Sequence, residues 1–273
     1  MTTSDFIRRV RFLVVAVAAF VPLAGLAGAS EPVPLARAHA HNDYEHPRPL
    51  LDALDQGFCS VEADIYLVEG RLLVAHDRAQ VRPDRTLQAL YLDPLQARVR
   101  DNGGRVFKGG PPFWLLVDFK SDAAPTWQAL KPVLEAYRDM LTAFGPERTE
   151  TRAVTMILSG NAPRDLLAAE TARLAALDGR AGDLKANPSP HLVPWVSENW
   201  PGLFRWRGEG AMPGEELDKL REMVSLAHEQ GRRVRFWGAP DLEARWRVEH
   251  AAGVDLINTD KLAALAAFLR NAR

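Results

Sequence analysis

Eight consecutive residues, His39–His46 (HAHNDYEH), hold three histidines, two acids, an amide and a tyrosine. Further along, three apolar runs end in groups of the same kind: "SVEADIY" around Glu62 and Asp64, "LLVAHD" at His76, and "LLVDFK" at Asp118 and Lys120. Imidazole is the side chain that moves protons near neutral pH, and carboxylate and amide oxygens are the donors that hard cations take. Asn42, Glu62, Asp64 and Asp118 therefore make an all-oxygen set for one divalent cation, Ca²⁺ or Mg²⁺. A mixed histidine and carboxylate zinc site would draw on the same residues, but no helical His-x-x-x-His pair accompanies them. With the oxygens on the cation, His41 and His76 stand free on either side of it. Phosphodiester cleavage needs two such groups, one to take a proton from the attacking hydroxyl and one to protonate the leaving alkoxide. Lys120 would neutralise charge on the phosphoryl oxygens. His39 shares a strand face with His41 and is the alternative first catalytic histidine, while Asp43, Tyr44 and His46 shape the loop.

Residues so far apart in sequence meet only if strands carry them. Side chains alternate along a strand, so Val61, Ala63 and Ile65 share one face and Ser60, Glu62, Asp64 and Tyr66 the other. Strands are expected near 35–41, 60–67, 113–120, 153–159, 173–178, 191–198, 233–239 and 254–259. Helical patterns such as "RPLLDALDQG", "APTWQALKPVLEAYRDMLTAF", "GEELDKLREMVSLAHEQG" and "DLEARWRVEHAAG" lie between them. Eight β/α units in about 240 residues fit one α/β domain, a triosephosphate-isomerase-type (β/α)8 barrel, whose catalytic rim is the carboxyl ends of the strands. The fifth strand, "RLAALDG", could instead continue the helix before it, and seven strands would then suit an open doubly wound sheet. Glu69-Gly70 reads as a hairpin turn that returns His76 beside Glu62 and Asp64. Ser159, Asp178 and Trp237, at the ends of strands four, five and seven, are candidates to line a substrate pocket. Trp195, Trp200, Phe204 and Trp206 fall in a Pro/Gly-rich stretch that either packs on the barrel or touches a lipid surface.

Composition narrows the setting. Of 273 residues, 47% are hydrophobic and the formal net charge is -1, which excludes a nucleic-acid footprint and bulk attraction to anionic membrane. Arg8, Arg9 and Arg11 precede the uncharged run "FLVVAVAAFVPLAGLAGA", which ends in Ala27-Gly28-Ala29. Residues 1–29 therefore read as a secretory signal peptide, with residues 30–273 exported to the periplasm or beyond the cell, and a membrane anchor as the alternative. The one cysteine, Cys59, permits no intrachain disulfide and sits in a strand-like apolar context, as a buried residue would. Nothing in the sequence bears on oligomeric state.

"HNDY", "SVEADIYLVEGRLLVAHD", "LLVDFK" and "GVDLINTDKL" together resemble the phosphatidylinositol-specific phospholipase C and glycerophosphodiester phosphodiesterase superfamily. Within it they resemble the branch of the fungal "altered inheritance of mitochondria" proteins. The resemblance runs from about residue 37 to residue 262. It implies a barrel whose metal and paired histidines cleave a phosphodiester, often through attack by a neighbouring substrate hydroxyl. Position by position, it implies that His41 and His76 are the catalytic histidines and that Asn42, Glu62, Asp64 and Asp118 are the ligands. Lys120 resembles the lysine of the E-x-K motif, and Trp237 a strand-seven tryptophan. Two features depart from the glycerophosphodiesterases: His-Asn-Asp-Tyr replaces His-Arg-Gly, which removes an arginine that could grip phosphate, and Asp118 stands where glutamate is usual. The expected activity is metal-dependent hydrolysis of a glycerophosphodiester or related lipid headgroup. The alternatives are a phospholipase C or D acting on membrane lipid, and a non-catalytic binder of anionic ligands.

Overall fold

The alternation along the strands decides which way each polar residue faces. In the computed structural model, which describes residues 31–272, β1 (Leu35–Ala40) and β2 (Phe58–Val68) open the sheet. Val61, Ala63 and Ile65 of β2 are buried in the core shared with the helices, whereas Glu62 and Asp64 line a cleft inside the barrel. Six more parallel strands follow: β3 (Phe113–Phe119), β4 (Val154–Gly160), β5 (Ala176–Gly179), β6 (Trp195–Asn199), β7 (Arg233–Trp237) and β8 (Ile257–Thr259). Their order is β7-β6-β5-β4-β3-β2-β1-β8, and a parallel bridge from Arg235 to Leu256 all but closes the ring. β5 is short but paired on both sides, Ala176 with Ile157 and Asp178 with Trp195, so the count is eight and the open-sheet alternative falls.

A helix follows each strand: α1 (Leu51–Asp55), α2 (Asp93–Asp101), α3 (Ala123–Ala136), α4 (Arg164–Ala169), α5 (Ala181–Ala186), α6 (Gly214–Glu229), α7 (Glu243–Ala252) and α8 (Leu262–Asn271). α3 is shorter than its periodic run promised. The chain after Tyr137 turns back, so that Leu141 bridges Val154 of β4 and Ala143–Phe144 pairs with Thr149–Glu150. Backbone pairing with a strand outweighs the helical pattern of those residues.

Register sets the height of the site. Glu62 is level with Leu116, which is level with Ile157 and then Ala176; one layer higher, Asp64 is level with Asp118 and Asp118 with Ser159. Leu116, Ile157, Ala176, Trp195 and Leu256 form an apolar plug beneath that polar layer, which is the filled interior expected of such a barrel. The strand Arg71–Val74 folds back antiparallel on β2 through Glu69 and Gly70, at φ 49° and 76°, a turn with both central residues in the left-handed region. From Pro32 onward the chain forms one compact unit. The expected signal peptide lies outside the described residues.

Candidate active site

At the carboxyl ends of the strands is a cleft of about 400 Å³. It is lined by ten residues singled out above, His41, Asn42, Glu62, Asp64, His76, Asp118, Lys120, Ser159, Asp178 and Trp237, together with Gly160, Arg180 and Arg235. The residues that strand ends and register bring together were legible one strand at a time.

Glu62, Asp64 and Asp118 each offer a carboxylate oxygen within 4.8 Å of the others. Lys120 Nζ is 3.0 Å from Asp64 Oδ2 and 3.0 Å from Asp118 Oδ1. Burial opposes charge on Lys120, but the two acids outweigh it and raise its pKa. Burial first, and then Glu62, push the Asp64 carboxyl up to about 6, against the pull of Lys120 and Tyr44. Glu62 moves the other way. Burial would raise it, yet the Arg235 guanidinium and a hydrogen bond from His39 hold it well below the usual carboxylate range. Asp64 Oδ1 is buried with no hydrogen-bond partner among the described residues, a costly state for a lone carboxylate oxygen. A cation among these oxygens would supply the missing partner, so the donor set fits a hard divalent ion.

Asn42 joins that set from the loop after β1, in the left-handed region at φ 46°, a conformation asparagine tolerates better than most residues. The Tyr44 hydroxyl is 2.7 Å from Asn42 Oδ1, 2.6 Å from Asp64 Oδ2 and 3.0 Å from His76 Nδ1. Its single hydrogen is shared between the two side-chain oxygens and its own oxygen can accept from His76 Nδ1, so Tyr44 ties the β1 loop, the acidic layer and the hairpin histidine together. Asp43 anchors the same loop by accepting from the Tyr91 hydroxyl at 2.9 Å.

The two candidate histidines are held alike. His41 Nδ1 lies 2.8 Å from Asp260 Oδ1 at the end of β8. Because a carboxylate only accepts, that nitrogen carries the hydrogen and Nε2 is left for the cleft. Burial would lower the His41 pKa, but the Asp260 hydrogen bond and the nearby Glu62 raise it. His76, its side chain 46% exposed, is brought by the hairpin to 3.5 Å from Asp64 Oδ2. His39 has a different fate. It is fully buried, with Nδ1 2.7 Å from Ser60 Oγ and its ring edge-on to Trp195 at 5.7 Å. Burial and then Arg235 depress it to about 3, and it does not line the cleft.

Opposite the hairpin, Ser159 Oγ donates to Asp178 Oδ2 at 2.8 Å, and Arg180 Nη1 donates to the same oxygen at 2.8 Å. Trp237, 37% exposed, flanks the opening. Trp195 is inside the barrel against Trp114, apart from the aromatic stretch in which the sequence placed it. Trp200, Phe204 and Trp206 pack with Phe236 and are buried, so that stretch presents none of these rings to a lipid surface.

Sequence reasoning missed Tyr44, Arg180, Arg235 and Asp260. Arg235 had a local signal, since it shares the strand face of Trp237. Asp260 stood one residue beyond a strand end already assigned to the rim.

The AIM6-like phosphodiesterase domain profile matches residues 29–178, and that of the glycerophosphoryl diester phosphodiesterase family matches residues 233–263. The chain is 31% identical to the altered inheritance of mitochondria protein 6 of Eremothecium gossypii over 86% of its own length and 69% of that protein. It is 27% identical to a homologue from Arthroderma benhamiae, over 84% and 81% of the two chains. A putative glycerophosphoryl diester phosphodiesterase from Silicibacter pomeroyi has the same fold, with a TM-score of 0.55 at 14% identity over 90% of this chain and 95% of that one. A glycerophosphodiester phosphodiesterase from Parabacteroides distasonis gives a TM-score of 0.53 at 14% identity, over 86% and 97%.

Proposed function

The chain belongs to the AIM6-like phosphodiesterase family, and from that premise we propose that it is a metal-dependent phosphodiester hydrolase in which His41 and His76 move the protons. One observation carries this reading. Both imidazoles open on the cleft of the acidic set, each with Nδ1 held by a neighbour and Nε2 without a hydrogen bond among the described residues.

His41 gives its Nδ1 hydrogen to Asp260, so the lone pair on Nε2 accepts the proton of the attacking hydroxyl as its oxygen bonds to phosphorus. His76, as the imidazolium with hydrogens on both ring nitrogens, gives its Nε2 proton to the departing alkoxide as the old phosphorus–oxygen bond breaks, and keeps its Nδ1 hydrogen facing Tyr44 and Asp64. Asp260 and Tyr44 keep the two rings oriented, the former also favouring the imidazolium that forms on His41. Asn42, Glu62, Asp64 and Asp118 would hold the divalent cation, which when bound offsets charge on the phosphoryl oxygens. Lys120 adds a fixed positive charge there, and Arg180 supplies the guanidinium that the loop after β1 lacks.

The lining also favours a substrate class. Apart from Trp237 and Gly160, every residue of the cleft presents a polar or charged side chain. That wall suits a soluble headgroup diester, such as a glycerophosphodiester, better than an acyl chain.

Turnover of bis(4-nitrophenyl) phosphate and of natural glycerophosphodiesters by the purified protein, with Mg²⁺ or Ca²⁺ added, tests the proposal. The expected result is hydrolysis abolished by EDTA and by His76→Ala. Activity that survives EDTA removes the metal role, and no hydrolysis across the panel removes the enzyme. Faster turnover of phospholipid vesicles than of soluble diesters would favour the membrane-lipid alternative.

A further inference from the structure

The three carboxylates of the cleft share a pattern. In each, one oxygen is engaged by a protein donor and the other is not. Glu62 Oε2 accepts from Arg235 Nη2 and lies 3.5 Å from His39 Nε2, while Oε1 has no hydrogen bond among the described residues. Asp64 Oδ2 accepts from the Tyr44 hydroxyl and pairs with Lys120 Nζ, while Oδ1 has no partner among the described residues. Asp118 Oδ1 faces Lys120, and no donor is bonded to Oδ2 among the described residues. Three acids thus present three single oxygens, to which Asn42 adds an amide oxygen.

The hold on Glu62 is the firmest of the three. Arg235 reaches across the barrel interior from β7, only 3% exposed, and its Nε donates to Asn258 Oδ1 on β8 at 2.8 Å. Asn258 is in register with His39, so the guanidinium is fixed between Asn258 and Glu62 on the strands that flank β1. Lys120, its side chain 29% exposed, engages Asp64 and Asp118 from the rim, where it can shift, while the buried Tyr44 holds Asp64 through a neutral hydroxyl. Arg235 has no such room, because releasing Glu62 would leave a guanidinium buried without its carboxylate.

From this geometry we propose that Arg235, anchored by Asn258, is a positioning residue that limits Glu62 to one oxygen and so makes the site discriminate against Ca²⁺ in favour of Mg²⁺. The inference rests on the metal-dependent reading above. Ca²⁺ takes six to eight oxygens and readily uses both oxygens of a carboxylate, whereas Mg²⁺ keeps to six and retains water in several places. Four single protein oxygens leave Mg²⁺ room for water or phosphate oxygens. They leave Ca²⁺ short unless a carboxylate turns to offer both atoms, and Glu62 is the one that cannot turn.

Titration calorimetry with Mg²⁺ alone and with Ca²⁺ alone, on the full chain and on Arg235→Met and Asn258→Ala, reads this directly without any substrate. For the unaltered protein the expected result is a Kd for Mg²⁺ no larger than that for Ca²⁺. In Arg235→Met the ratio should move toward Ca²⁺ by on the order of tenfold, the size of effect typical of groups that orient a metal ligand. Asn258→Ala should move it the same way by less. Should Arg235→Met fail to fold, as near-ultraviolet dichroism would reveal, Asn258→Ala keeps its guanidinium and carries the test. Tighter binding of Ca²⁺ by the unaltered protein overturns the selectivity while leaving metal dependence standing. An unchanged ratio in the folded variants overturns the role of Arg235. If the unaltered protein binds neither ion, the metal reading fails and the selectivity with it.

Discussion

His39 within β1 and His41 just past its end stand two residues apart, and the difference between them is the difference between the barrel's interior and its rim. His39 is enclosed by Ser60, Glu62 and Trp195 and is held neutral by burial. His41 is one step higher, backed by Asp260, and keeps a ring nitrogen for the cleft. Two carboxylates repeat the contrast. Glu62 belongs to the interior layer and has a buried arginine partner, whereas Asp118 is level with Ser159 in the rim layer and meets the more exposed Lys120. One strand pitch, about 7 Å for two residues, converts a residue type from packing to chemistry.

The sharpest way to break that division is to remove each histidine in turn. His41→Ala is expected to lower kcat by about 10²- to 10⁴-fold, the usual worth of a proton-transfer group. His39→Gln should leave kcat of the same order and instead cost about 1–3 kcal/mol of stability, from buried hydrogen bonds made imperfectly. Steady-state kinetics beside denaturant unfolding checks both, and a folded His39→Gln protein as inactive as His41→Ala would erase the distinction.

A gentler disturbance enters the rim from β4. Gly160 has φ 62°, and a Cβ there would lie 2.3 Å from Asp118 Oδ1 and 2.7 Å from the Phe119 carbonyl oxygen. Gly160→Ala is therefore expected to cost about 1–3 kcal/mol in strain and to weaken divalent-ion binding by on the order of tenfold as Asp118 is pushed aside. Calorimetry with Mg²⁺ would show it, and unchanged affinity would mean that the rim yields more than the contacts imply.

The smallest expected effect concerns an interior pair outside the barrel. Glu249 on α7 is fully buried, 2.7 Å from Arg245, and burial raises its carboxyl from 4.5 to about 7 against the pull of that arginine. Between those two values the folded chain holds a proton that the unfolded chain has released, so the contribution of Glu249 to stability is full below pH 4.5 and declines as pH rises through 7. Relative to Glu249→Gln, the unaltered protein should lose thermal stability between pH 5 and pH 8. Parallel Tm profiles for the two proteins would contradict this.

The eight strands were legible because each carries its own alternation or apolar run, and the E-x-D pair because two acids on one strand face need an explanation wherever they fall. The hairpin was legible from Glu69-Gly70. What escaped notice was whatever depended on closure. Asp260 is opposite His41 only because β8 lies beside β1, and Arg235 reaches Glu62 only across the interior. Within its own strand Arg235 reads like its neighbour Arg233, a charge on a polar face. Tyr44 escaped for a different reason, since a loop tyrosine shows no periodicity and its hydroxyl gains its role from where the 3₁₀ turn after Asn42 aims it. The length of α3 was misjudged because pairing with β4 is not written into residues 138–144 themselves.

The bridge from Arg235 to Leu256 has a consequence for how the molecule breathes. Neighbouring strands elsewhere share two to seven paired positions, whereas β7 meets the residues leading into β8 through this one bridge among the described residues. Amide protons along that line have the least ladder to protect them. Deuterium should therefore enter β8 sooner than β2 or β3, as though the cylinder carried a zip fastened at one tooth.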